Sequence, residues 1–341
     1  MTTENKDPFA YRNEGGWIKI GDKEDLGISA MINTGDSLLV VTRKGIYTPI
    51  LADSVDPERT NSAIPKQSQQ KILSYGSDEL FVGRTLLQAQ ALFGEQGLPS
   101  TIDCKKGLNI GLAFLKEITA LHELANDYIT EEDKANLSFK GKLEEDQSLH
   151  LPTIHKLEQR TKQFINNSDY AILHLIEMAQ LFYPDITKNN KKRGKIWAEQ
   201  LQEKFEKEKG PTDPSTKFAG GLVSWLKLIR SLRNAIEHTT TGAELDIQDY
   251  SLNKEGHVRP PILSHIDPKT PLHEMLISKF MANTLERLQT SFETLMAHLC
   301  NIHAEPFAGD VRSVIQFEIP RINSSPDKTH VRFEYYIAWT R

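Results

Sequence analysis

The feature that most constrains this 341-residue chain is a change of pattern near residue 100. Before it, apolar residues come in short β-branched runs parted by Gly, Asp and Asn: Trp17 to Ile20, Ile28 to Ile32, and Leu38-Leu39-Val40-Val41. Such runs form strands, because branched side chains fit a pleated surface and the intervening residues turn easily. Residues 46–51 (IYTPIL) read as an edge strand, since Pro49 has no N–H to give to a ladder. Residues 53–70 are polar, contain two prolines and read as a loop. From Ser77-Asp78 onward, Leu80, Phe81, Leu86, Leu87, Ala91 and Leu92 repeat at mostly helical spacing up to Gly94.

Beyond residue 100 the period is helical. Leu112, Leu115, Ile118 and Leu121 open a stripe that Leu124 and Tyr128 continue. Further helices are expected over 151–183, where Pro184 stops the pattern, over 188–209, and over 216–238. A β excursion interrupts them at 245–263, turning at 253–256. Thr270-Pro271 followed by Glu274 has the chemistry of an N-cap with proline at the first helical position, so a helix is expected from there to His303. Two strands, 314–319 and 331–339, close the chain. The expected fold class is α+β. A small α+β domain, 1–100, precedes a mainly α-helical bundle, 105–341, which carries the β-hairpin-like insertion at 245–263 and C-terminal strands at 314–339.

Composition narrows the setting. Two cysteines, Cys104 and Cys300, cannot build a disulfide framework and suit a reducing compartment. Residues 1–9 lack the apolar core of a secretory signal, and no stretch approaches about 18 uninterrupted apolar residues. A cytoplasmic protein without a membrane partner is expected. The net charge of -5 gives no overall nucleic-acid footprint, so any such site must be a local patch.

One constellation carries chemistry. The helix over 216–238 ends in Arg233-Asn234-Ala235-Ile236-Glu237-His238. At 100° per residue, Leu222, Trp225, Leu226, Ile229, Leu232 and Ile236 share an apolar arc, with Arg233 near its edge. Asn234 and His238 are i,i+4 neighbours on the side of Arg230. Guanidinium groups match phosphate oxygens in pairs, and imidazole moves protons near neutral pH. Cleaving RNA through its own 2′-OH needs those parts. A plainer reading makes Arg233 and Glu237 a surface ion pair and His238 a cation at a helix C-terminus. Arg259 and His265 also fit an Arg-x4–6-His spacing, but they lie across Pro260-Pro261 in a strand-and-loop region and are set aside.

RNAIEH at the end of an amphipathic helix resembles the signature of the HEPN superfamily, an Arg followed after four to six residues by His, with a polar residue directly after the Arg. The resemblance covers roughly 108–303 and says nothing of residues 1–100. It implies a helical bundle that dimerises with two motifs facing each other across a groove. Many members are metal-independent ribonucleases acting as toxins or antiviral effectors, while others only bind or scaffold. Carried over, His238 would move protons at the 2′-OH or the leaving oxygen, Arg233 would hold the scissile phosphate, and Asn234 would orient substrate or imidazole. The expected partners are RNA, a second copy of the chain, and an antitoxin or regulatory protein. Arg230 and the basic run containing Lys191, Lys192 and Arg193 are added as RNA-backbone contacts; Trp197, behind that run, is read as core.

No cofactor and no metal are expected. His298, Cys300 and His303 diverge on a helix, His122-Glu123 lacks a second histidine, and no phosphate-loop, dinucleotide or nucleophile-elbow motif is present. Glu131-Glu132 and Glu144-Glu145 read as solvated surface.

Overall fold

The computed structural model describes residues 7–13, 20–21, 25, 27–94, 97–139, 149–190, 195–237, 244–308, 311–315 and 330–339. The expected strand over Trp17 to Ile20 and the pair Glu144-Glu145 fall largely or wholly outside them. The chain divides into two compact units, one formed by 1–109 with 304–341 and the other by 110–303. Its secondary structure is mixed, with an antiparallel N-terminal sheet and a helical region after it, so the class is α+β.

In the first unit, α1 (Ala10–Asn13) precedes β1 (Ile28–Asn33), β2 (Leu38–Thr42) and β3 (Ile46–Leu51); α2 (Ala52–Val55) and β4 (Gln67–Leu73) follow. The sheet is an antiparallel meander in the order β1-β2-β3-β4. Ile32, Leu39, Val40, Val41 and Ile46 are buried in its core. β3 is therefore an inner strand rather than the edge expected. Its pairing with β2 stops at Tyr47, however, so Pro49 meets only Gln69 of β4 and interrupts no β2 ladder. β4 occupies part of the expected loop. Its exposed Gln and Ser side chains lack strand-forming signatures, and pairing along β3 imposes the conformation.

The helical stretch after Ser77 is α3 (Leu80–Val82), a π-turn (Gly83–Leu87) and α4 (Gln88–Phe93). α5 (Cys104–Ser138) then begins with the Asp103 carboxylate accepting the Lys106 N–H at 3.0 Å.

From residue 110 the second unit is built by α5, α6 (Leu157–Phe182), a short pairing of β5 (Asn189–Asn190) with β6 (Lys195–Ile196), α7 (Trp197–Lys209) and α8 (Pro214–Glu237). The helix expected from 188 starts only at Trp197, where the Glu199 carboxylate accepts the Ile196 N–H at 2.9 Å; Trp197 itself is buried. The β excursion comprises β7 (Glu244–Gln248), β8 (Ser251–Leu252), β9 (Val258–Arg259), β10 (Ile262–Ile266) and β11 (Leu272–Leu276), after which α9 (Ile277–His303) begins. The sheet order is β11-β10-β7. Leu272–Leu276 thus pairs with β10 instead of starting a helix. Asp267, not a helix, takes up the local donors: its carboxylate accepts from Lys269 N, Thr270 N and Thr270 Oγ1. α6 packs on α8 and α9, α7 on α8. Phe114 of α5 stacks on Phe292 of α9 with ring centroids 3.9 Å apart.

β12 (Pro306–Ala308), β13 (Val311–Ile315) and β14 (Tyr335–Trp339) form a sheet in that order. These strands belong to the first unit, whereas the sequence attached them to the helical domain. The ties are specific. Gln88 of α4 donates through Nε2 to Phe333 O at 2.7 Å and accepts from Arg332 N and Phe333 N, and Glu305 N donates to Gly97 O. Among the described residues, no helix is long and apolar enough to cross a membrane.

Candidate functional site

α8 carries the motif. Pro214 stands at its first position, and the Asp213 carboxylate accepts the Ser215 N–H at 2.8 Å, a start that leaves no orphaned donor at the proline. Leu222, Trp225, Leu226, Ile229 and Leu232 are buried along one face, as the wheel required. That burial fixes the rotation of the helix and leaves Arg230, Arg233 and Asn234 half-buried at its flank.

Arg233 is held between two carboxylates. Its Nη2 lies 2.7 Å from Glu237 Oε1 one turn on, and its Nε lies 3.9 Å from Asp169 Oδ2 of α6. The side chain keeps 32% of its surface exposed. The i,i+4 pair of the plainer reading is therefore present, with a second acid that sequence spacing could not reveal. His238 lies outside the described residues, as do Lys191, Lys192 and Arg193. The structure thus brings together Arg230, Arg233 and Asn234 on adjoining turns of α8.

A described histidine also reaches this helix, and it is the one the sequence set aside. His265 of β10 is buried, with Nε2 2.8 Å from Ser231 Oγ and Nδ1 3.1 Å from Glu244 O. A carbonyl can only accept, so Nδ1 carries a proton and donates to it, while Nε2 is hydrogen-bonded to the Ser231 hydroxyl. The imidazole therefore links α8 to the first residue of β7. Arg259, its counterpart in spacing, pairs instead with Glu274.

Two further groups depart from or refine the sequence reading. Glu132 is buried, not solvated; burial pushes its carboxyl up, against hydrogen bonds from Ser278 and Tyr128 that pull it down. Glu131 is occupied by Arg160 and by His155 N. The neighbouring Tyr250 hydroxyl donates to Asn136 Oδ1 at 2.7 Å and is itself pushed up to about 12, mainly by burial. His298 is buried against Phe205 and Phe218, and burial pushes it down to about 4. Its neutrality reflects packing among aromatic rings. Among the described residues, no group of three or more His, Cys, Asp or Glu side chains is placed to hold a metal ion.

Compared with known proteins, the chain matches no family model, and neither a curated protein nor a solved structure matches it.

Proposed function

We propose that this chain is an endoribonuclease of the HEPN type that cuts RNA with Arg233, Asn234 and His238, as a toxin or antiviral effector acting in the cytoplasm. The observation that carries the reading is Arg233 itself: a guanidinium oriented by Asp169 and Glu237 and still a third exposed. Such a group is poised for a phosphate oxygen without a large loss of side-chain freedom.

In this proposal His238 takes the proton from a ribose 2′-OH, and the freed oxygen attacks the adjacent phosphorus. The bond to the 5′-oxygen breaks, and the leaving oxygen receives a proton from an imidazolium, that of a second copy if two motifs share a groove. The products are a 2′,3′-cyclic phosphate and a 5′-hydroxyl. Arg233 offsets the charge that grows on the phosphoryl oxygens, and Asn234 orients the imidazole or the sugar. Arg230, Lys191, Lys192 and Arg193 follow the RNA backbone. The protein's own groups supply every proton transfer, so the scheme calls for no metal.

The same two carboxylates favour a second reading. If Asp169 and Glu237 retain Arg233 as a frame element, the helical unit is a non-catalytic module that dimerises or docks RNA or protein. The experiment that separates them is incubation of purified protein with total RNA in excess EDTA, beside folded His238→Ala and Arg233→Ala variants. Cleavage that persists in EDTA and vanishes in both variants supports the nuclease. Equal cleavage by all three places the activity outside this motif, and none by any favours the module.

A further inference from the structure

Around α8, the sheet stops one strand short. His265 of β10 bonds Ser231, and Leu272 of β11, paired with His265, shares a pocket wall with Leu228. On the helix, Ser231, Leu228 and Trp225 succeed one another by about 60° each. Strand by strand, the sheet therefore follows the turn of α8, and no described strand comes after β11 to continue towards Trp225. A pocket of about 280 Å3 stands there instead, walled otherwise by the first turns of α9.

Two features define what fits it. The first is an open strand edge. β11 ends its sheet in the order β11-β10-β7, so its outer N–H and C=O groups meet no described strand. Its apolar side chains are also short of cover. Leu272 and Met275 are partly exposed at the pocket, as is Leu228, and Leu276 on the alternate face is 39% exposed. The second feature is a cation held at the pocket. Arg287 Cζ lies over the Trp225 ring, 5.8 Å from its centroid, and pairs with no carboxylate among the described residues. The neighbouring Glu286 carboxylate accepts from Thr290 Oγ1 at 2.9 Å.

A small apolar anion would use the pocket and the cation but leave the strand edge bare. An extended segment uses all three. We propose that a partner protein docks here as an added strand on β11. One large apolar side chain enters the pocket against Leu228, Leu272 and Met275, and an Asp or Glu two residues along meets Arg287. Residues two apart in a strand share a face and stand about 7 Å apart. Main-chain pairing supplies affinity in this mode, and the pocket and the cation supply selectivity. At 100° per residue, Asn234 lies about 180° from Trp225 on α8, so docking is independent of the RNAIEH motif and of the cleavage reading.

The test is selection of displayed random dodecapeptides on the purified full-length chain. An enriched peptide is then synthesised and its affinity measured by fluorescence polarisation. Enriched sequences should share a large apolar residue with Asp or Glu two positions away. Arg287→Ala, at an exposed position, should weaken binding about 10-fold or more. Methylating alternate backbone nitrogens of the peptide separates strand pairing from simple apolar contact. The set facing β11 should abolish binding, and the other set should leave it within about 2-fold. No shared pattern, unchanged affinity in Arg287→Ala, or equal effects of the two methylated sets would overturn the proposal. So would self-association of the chain, seen by sedimentation, that Arg287→Ala abolishes, because a second copy would then be the occupant.

Discussion

Arg12 in the first unit and Arg233 in the second each sit between two carboxylates, and they differ in what remains of the guanidinium. Arg12 gives Nε to Tyr11 Oη, Nη1 to Asp53 and to Asp56 O, and Nη2 to Asp56 Oδ2 and Asn61 O. Those bonds match the five N–H donors of the group, and its side chain is only 1% exposed. Arg233 has one close pair, one at 3.9 Å, and a third of its surface in solvent. A saturated guanidinium can only hold a fold together. An unsaturated one, held but not enclosed, can still take an anion. Counting remaining donors distinguishes the two where counting ion pairs does not.

Substitutions can break that contrast. Arg12→Met should have the largest effect on stability, because it strips the cation from Asp56 and leaves two backbone carbonyls short of donors; a Tm loss of about 10 °C or more is expected by calorimetry. The same cluster makes the first unit acid-sensitive. Hydrogen bonds from Thr60 and Asn61, then Arg12, hold the Asp56 carboxyl well below the usual carboxylate range. Its contribution is therefore full above the ordinary carboxylate pKa and is lost as pH falls through the depressed folded value. Arg12→Met should flatten the acid limb of a denaturation series.

Arg233→Met is the converse case. Its pairs are partly solvated, so stability should change by less than about 1 kcal/mol. Under the proposed function, RNA cleavage should nevertheless fall about 100-fold or more. A large stability loss with no effect on RNA would make Arg233 a second Arg12. His298 gives a smaller, pH-dependent effect. It is pushed down to about 4, whereas an unfolded imidazole protonates near 6.5, so its contribution is present above that value and is lost as pH drops towards 4. The loss amounts to about 3 kcal/mol at most, and urea midpoints of His298→Phe should lack it. Least of all, Arg43→Ala should leave the urea midpoint essentially unchanged, since Arg43 and Asp78 pair in the open.

What could be read from residues alone follows a physical divide. β2 and the buried face of α8 were legible because burial imposes a period on the chain. β4 was not, because an exposed strand needs only a partner, and Gln67–Leu73 takes its conformation from β3. β11 was concealed by Thr270-Pro271, a convincing helix start whose donors Asp267 uses for a turn. At the candidate site, the wheel placed Arg233 at the edge of the apolar face correctly. Asp169 and His265 were invisible, since one comes from another helix and the other through strand register. Glu132 looked solvated amid charged neighbours, and only tertiary packing encloses it.

The first unit is interrupted in sequence: residues 110–303 lie between its two parts, and Gln88 finds its partner at Phe333, 245 residues later. On a ribosome, the chain emerges from its N-terminus. The inserted helices are then complete once His303 has been made, while the first unit still lacks the sheet of β12, β13 and β14. The second unit can consequently mature while the first is unfinished, and a chain stalled near residue 303 would present a folded helical unit beside an incomplete first one.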